Sequence, residues 1–208
     1  MALAREAIAD LAIGENYSDK QMKGITTLAA VQIRGNWLEK VHAGDSQIFV
    51  IRNGEILFAS KGHTIFQEVL DIKVETISEE DMETVSQYIS SYSPAAAKKL
   101  LTNALGFQGP ARIDLGLVDI NASRVTIGED GHLYLPEGES YVFTSSVFLQ
   151  EGDWIFIRTD GVNLPLSKIM DILNDAKNAE QATREMEKSV LAGPAEDNLS
   201  IILYRHKE

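Results

Sequence analysis

The sequence predicts an α+β domain built in layers, and three observations carry that reading. Between Ile25 and Ala59 four apolar runs of strand length are separated by turn residues. The stretch from Ser78 to Ala104 carries helix caps and helical spacing instead. Strand patterns then resume and are followed by two more helical segments before a last apolar run, and strands placed before and after pairs of helices pack as sheet and helix layers.

In chain order, Leu3, Ala7, Ile8 and Leu11 recur at helical spacing and read as the amphipathic end of a helix. The meander follows as Ile25 to Arg34, Trp37 to His42, Gln47 to Arg52 and Glu55 to Ala59. Its turns are Arg34-Gly35-Asn36, Gly44-Asp45-Ser46 and Asn53-Gly54, the last being the strongest short hairpin signal. Ser78 can cap a helix that puts Met82, Val85 and Ile89 on one face, and Ser93-Pro94 can open a second leading into Leu100, Leu101 and Ala104. Strands are expected around Arg112 to Val118, Arg124 to Ile127, His132 to Leu135, Tyr141 to Thr144 and Trp154 to Arg158, with Asp130-Gly131 as a hairpin turn of no catalytic role. A helix over Leu166 to Asn174 precedes one capped by Asn178, with Gln181 at the capping-box position, Ala182, Met186 and Val190 inward, and Gly193 as its stop. The last strand runs from Leu199 to Tyr204. Residues 1–208 read as a single domain without repeat, low-complexity tract or linker.

Composition narrows the chemistry. The formal net charge is -12 and no basic stretch interrupts it, which disfavours nucleic acid as a partner. The absence of Cys excludes disulfides, thiolate metal sites and a cysteine nucleophile. No apolar run reaches the roughly 20 residues of a membrane span, and the N-terminus lacks the basic start and apolar middle of a signal peptide, so a cytoplasmic location is expected. No Gly-rich phosphate loop is present, and Ser145-Ser146 lacks a glycine elbow. His42, His63 and His132 are dispersed along the sequence, each reading as the maker of a local hydrogen bond.

The candidate chemistry lies in carboxylates at strand ends. Asp160-Gly161 closes the run Trp154-Ile155-Phe156-Ile157-Arg158-Thr159, and Asp197-Asn198 opens the last strand. A carboxylate held there beside a Gly or Asn is a natural ligand for a hard cation. Each dipeptide alone also reads as an ordinary turn, as does Asp45 in Gly44-Asp45-Ser46. All-oxygen donors without Cys or clustered His select Mg²⁺ or Mn²⁺ over Zn²⁺.

Taken in order, Gly24-Ile25-Thr26-Thr27, Gly44-Asp45-Ser46, Asn103-Ala104-Leu105-Gly106, Thr159-Asp160-Gly161 and Asp197-Asn198 resemble the motifs of the PPM (PP2C-like) metal-dependent protein phosphatases. The resemblance covers nearly the whole chain. It implies a PP2C-like β-sandwich flanked by helices and hydrolysis of phosphoserine and phosphothreonine by a metal-activated water, with no protein nucleophile. Asp160 and Asp197 would be ligands of the metal pair and Asp45 that of a weaker, additional metal; Gly161, Asn198, Gly44 and Ser46 would support the site. The family's N-terminal Arg and Asp-Gly-His-Gly segment has no counterpart, so the resemblance implies an N-terminally shortened domain that holds one metal or none where a complete member holds two Mn²⁺ or Mg²⁺. Ile25, Gln47, Asn103 and Gly62-His63 also depart from the family pattern, Gln47 standing where an Arg is usual. The implied partner is a phosphoprotein substrate or a regulatory protein, the second suiting a pseudophosphatase that acts as a binding module. Glu151-Gly152-Asp153 resembles the bacterial SpoIIE-type branch. Sheet edges uncovered by the shortening would permit a homo-oligomer.

Overall fold

The computed structural model describes residues 26–71, 101–105, 113–193 and 197–207. The expected helices at Leu3–Leu11 and after Ser78, the first part of the one after Ser93, and Gly24, Ile25 and Gly106 lie outside the described residues. Leu101 to Leu105, expected to continue the helix after Ser93, are not helical: Leu101 and Leu105 form isolated antiparallel bridges to Thr64 and Thr26, where backbone pairing replaces the helical turn.

Four strands form the meander: β1 (Leu28–Arg34), β2 (Trp37–Ala43), β3 (Gln47–Arg52) and β4 (Glu55–Ala59). Asn53 and Gly54 both have positive φ, 50° and 79°, as the turn of a two-residue hairpin requires. A helix that the sequence reading lacked, α1 (Ile65–Asp71), follows β4. Thr64 caps it by accepting from Gln67 N–H at 3.1 Å, so Thr64-x-x-Gln67 was its unread signal. Then come β5 (Leu117–Asp119), β6 (Thr126–Ile127), β7 (Leu133–Tyr134), β8 (Phe143–Thr144), β9 (Ser146–Phe148) and β10 (Trp154–Arg158). The chain closes with α2 (Leu166–Asp175), α3 (Ala179–Leu191) and β11 (Ile201–Arg205). Asn178 caps α3 through Gln181 N–H at 2.9 Å, and Gln181 Oε1 reaches back to Lys177 N–H rather than to the cap itself.

The strands form a six-stranded sheet, β11-β10-β3-β4-β5-β8, a three-stranded sheet, β1-β2-β9, and the separate hairpin β6-β7, all antiparallel. β3 and β10 run through the middle of the large sheet and are buried on both faces, which explains their unbroken apolar runs. Ile48, Val50, Ile155 and Ile157 face the small sheet and pack with Leu38 and Val147. Phe49, Ile51, Trp154 and Phe156 face the helices and pack with Ile169, Leu173 and Met186. The order is therefore sheet, sheet, helices, the layered α+β arrangement expected. Arg52 and Asp153 lock the far end of β3 to the turn before β10 through two bonds of 2.8 and 2.7 Å, with Asp153 fully buried. No helix among the described residues is long and apolar enough to cross a membrane.

Candidate metal cleft

β3 and β10 are neighbours, so the turn entering β3 and the turn leaving β10 meet at one end of the large sheet. A cleft of about 420 Å³ opens there. Asp45 and Asp160 both line it, as do Gln47, Arg158 and the turn Glu129-Asp130-Gly131-His132. Asp45 is half-buried and Asp160 exposed.

The Gly44-Asp45-Ser46 turn is held on both sides of the aspartate. Gly44 has φ +110°, and a Cβ there would overlap the Thr27 side chain. Ser46 Oγ pairs with Thr27 Oγ1 at 2.7 Å. Gly44 N–H donates to His63 Nδ1 at 3.0 Å, while the Ser46 carbonyl accepts from His42 Nε2 at 2.7 Å. His42 and His63 thus stand side by side, with ring centroids 5.0 Å apart, rather than dispersed. Asn103 Nδ2 also reaches His63 Nδ1 at 3.0 Å. Because Gly44 can only donate, Nδ1 of His63 is the acceptor, and Nε2 carries the proton given to Asp114 Oδ2 at 2.8 Å.

One nitrogen of each ring and an Asp114 oxygen lie within 4.8 Å of one another, the one group of three ligand-type side chains so close among the described residues. These protons are already committed, and Lys40 sits beside the rings with its amine buried and without a hydrogen-bond partner. Burial pulls Lys40 down to about 8 against the pull of Asp114. Burial, then the charge of Lys40, pushes His42 down to about 3. The group holds the Asp45 turn through His42 Nε2 and His63 Nδ1, with the Lys40 amine at its side, while His42 Nδ1 is left buried without a hydrogen-bond partner.

Asp160 sits on a second braced turn. A Cβ on Gly161 would overlap the Asn198 carbonyl, so the Asp160-Gly161 turn lies directly on the Asp197-Asn198 turn. Thr159 N–H donates to the Ser200 carbonyl at 3.2 Å and Ser200 N–H returns a bond to Thr159 Oγ1 at 2.9 Å. Asp197 is exposed on that neighbouring loop and is not among the residues lining the cleft. Its Oδ1 accepts from Asn198 N–H at 2.7 Å.

The Asp130-Gly131 turn is the hairpin the sequence predicts, and it also lines the cleft. Glu129 Oε2 there accepts from Ser167 N–H and Oγ at the start of α2. Asp130 Oδ1 lies 3.1 Å from His132 Nδ1, and its side chain is 35% exposed. Carboxylates on separate rigid elements around one open cleft fit a hard cation that keeps part of its water shell and takes one or two protein carboxylates.

No protein-family model matches the sequence, and no curated protein matches it either. Solved structures do. The serine/threonine phosphatase of S. agalactiae superposes with a TM-score of 0.64 at 20% identity, covering 98% of this chain and 69% of that one. The fold is that of the PPM-type phosphatases. The Mycobacterium tuberculosis phosphatase PstP/Ppp gives a TM-score of 0.62 at 20% identity, covering 97% of this chain and 67% of that one. A catalytic domain of PstP in complex with two manganese ions gives 0.57 at 20%, with 97% and 67% covered. The chain therefore spans about two thirds of the length of these PPM-type structures.

Proposed function

We propose that this chain is a phosphatase domain of the metal-dependent serine/threonine class, acting on phosphoproteins in the cytoplasm and using Mn²⁺ or Mg²⁺. The observation that carries the reading is the convergence of Asp45 and Asp160, from the ends of two adjacent central strands, on one cleft of a PPM-type fold. Asp160 and Asp45 supply hard oxygen donors, and the Asp197 loop braces Asp160 from behind. When bound, a divalent cation acidifies a water and offsets charge on the transferred phosphoryl group. Asp160 and Asp45 would hold that cation; the His42 and His63 bonds brace the backbone on either side of Asp45, and the hairpin turn lines the same cleft. The manganese ions of the related PstP domain support the choice of metal.

The test is release of inorganic phosphate from a phosphothreonine peptide by the whole chain with and without Mn²⁺. Release that needs Mn²⁺ and is lost in Asp160→Asn supports the proposal. No release from a chain that binds Mn²⁺ would instead make it a binding module.

A further inference from the structure

Arg158 is an anomaly in its own strand. It ends the apolar run of β10, yet its side chain is 4% exposed and its guanidinium lies 5.6 Å from the Phe49 ring centre. Nε donates to Gln47 Oε1 at 2.8 Å. Nη1 donates to the carbonyls of Leu164 at 2.9 Å and Val162 at 3.4 Å. Nη2 donates to the Asp130 carbonyl at 2.9 Å. None of these acceptors is a carboxylate, so the charge is spent on loop carbonyls that burial would otherwise leave unpaired. Burial pulls the group down to about 10, with Asp130 opposing.

The four bonds reach three separate sides of the cleft. Gln47 follows the Asp45 turn by two residues, Val162 and Leu164 belong to the loop that begins at Asp160, and Asp130 belongs to the hairpin turn. Gln47 tightens the same junction: its Nε2 donates to the Asp130 carbonyl at 3.3 Å, and a Cβ on Gly131 would meet its amide at 2.5 Å. The planar fork of an Arg can hold these carbonyls at fixed angles, which a lysine amine cannot.

We infer that Arg158 is the positioning residue of the cleft: by tying the Asp160 loop and the Asp130 turn to Gln47, it sets the geometry that Asp160 offers to a divalent cation without touching that cation. The metal part of this inference rests on the proposed phosphatase reading; the loop-tying part does not.

Two measurements on the whole chain keep these separable. Amide hydrogen exchange is read at Val162 and Gly131, whose N–H groups are bonded inside the two tied loops, with Phe156 as the core reference. Mn²⁺ affinity is read by the electron paramagnetic resonance of free Mn²⁺, at a temperature where circular dichroism reports a folded chain. In Arg158→Met, which keeps the apolar stem, exchange at both amides and the Mn²⁺ dissociation constant are each expected to rise by about tenfold or more, with Phe156 unchanged. Arg158→Lys restores neither. Should Arg158→Met fail to fold, Gln47→Met carries the test and moves both readings in the same direction by less. Wild-type exchange at Val162 and Gly131 in the folded variant overturns the inference. So does a lowered melting temperature, or a raised exchange, with Mn²⁺ affinity unchanged. A wild-type chain that binds no Mn²⁺ overturns the metal reading, and the exchange arm then decides the tie alone.

Discussion

Gly161 lies on the backbone of Asn198 so closely that no side chain fits between them. The two acidic turns are one unit for that reason, although Asp160 and Asp197 lie 37 positions apart in the sequence. Gly161→Ala should cost about 1–3 kcal/mol, as overpacking does. It should also weaken Mn²⁺ binding, because the clash is relieved by parting the Asp160 turn from the Asp197-Asn198 turn that braces it. Chemical denaturation and an Mn²⁺ titration of the same variant check both effects.

The Arg52–Asp153 pair makes a second expectation. Asp153 is fully buried and accepts from Gln150 N–H at 2.8 Å as well as from Arg52. Asp153→Ala strands that amide and releases Arg52, which already reaches solvent at 23% exposure, so the loss should be about 2 kcal/mol rather than the larger cost of a fully buried pair. The melting temperature should fall while Mn²⁺ affinity stays near wild type. Asp153 is thus assigned to the framework, although its Glu151-Gly152-Asp153 context had suggested another phosphatase branch.

Stability should depend on pH through Lys40 and His42. His42 is held down to about 3 when folded, against about 6.5 when unfolded, so the unfolded chain binds more protons between those values. This contribution is complete above pH about 6.5 and is lost as pH falls toward 3. Lys40 carries the same sign between about 8 and about 10.5, where stability rises with pH. Lys40→Met should remove the alkaline rise and stabilise the chain at neutral pH by about 1 kcal/mol, since a buried amine without a partner is replaced by an apolar side chain of similar length. Urea denaturation from pH 5 to 10 reads both slopes.

Met186 tests the helix layer. Its side chain is fully buried in the cluster joining α3 to the large sheet. Met186→Ala should cost about 2–5 kcal/mol without altering the cleft, which is built from other elements. Denaturation midpoint and Mn²⁺ affinity should therefore separate in this variant.

The central strands were legible because their chemistry is local. β3, β4 and β10 fall on the expected boundaries, since apolar runs of strand length bounded by turn residues define them. Asp45 and Asp160 were singled out by family-like motifs rather than by periodicity, but those motifs paired Asp160 with Asp197 and gave Asp45 a weaker, additional metal; that Asp45 and Asp160 share one cleft comes from the fold. What the sequence could not convey were contacts between distant segments. Arg158 reads as one polar residue ending a strand, and only the fold brings the Asp130 carbonyl to it across 28 residues. His42 and His63 likewise look unrelated until β2 and the segment after β4 put their rings together. The Asp130 turn was identified correctly as a hairpin, but a turn signal carries no information about what the hairpin covers.

The most direct test is anomalous diffraction at the manganese edge from crystals of the chain grown in Mn²⁺. The account predicts a peak in the cleft between the carboxylates of Asp45 and Asp160, absent in Asp160→Asn. No peak in that cleft, or a peak at His42, His63 and Asp114 in its place, would contradict it.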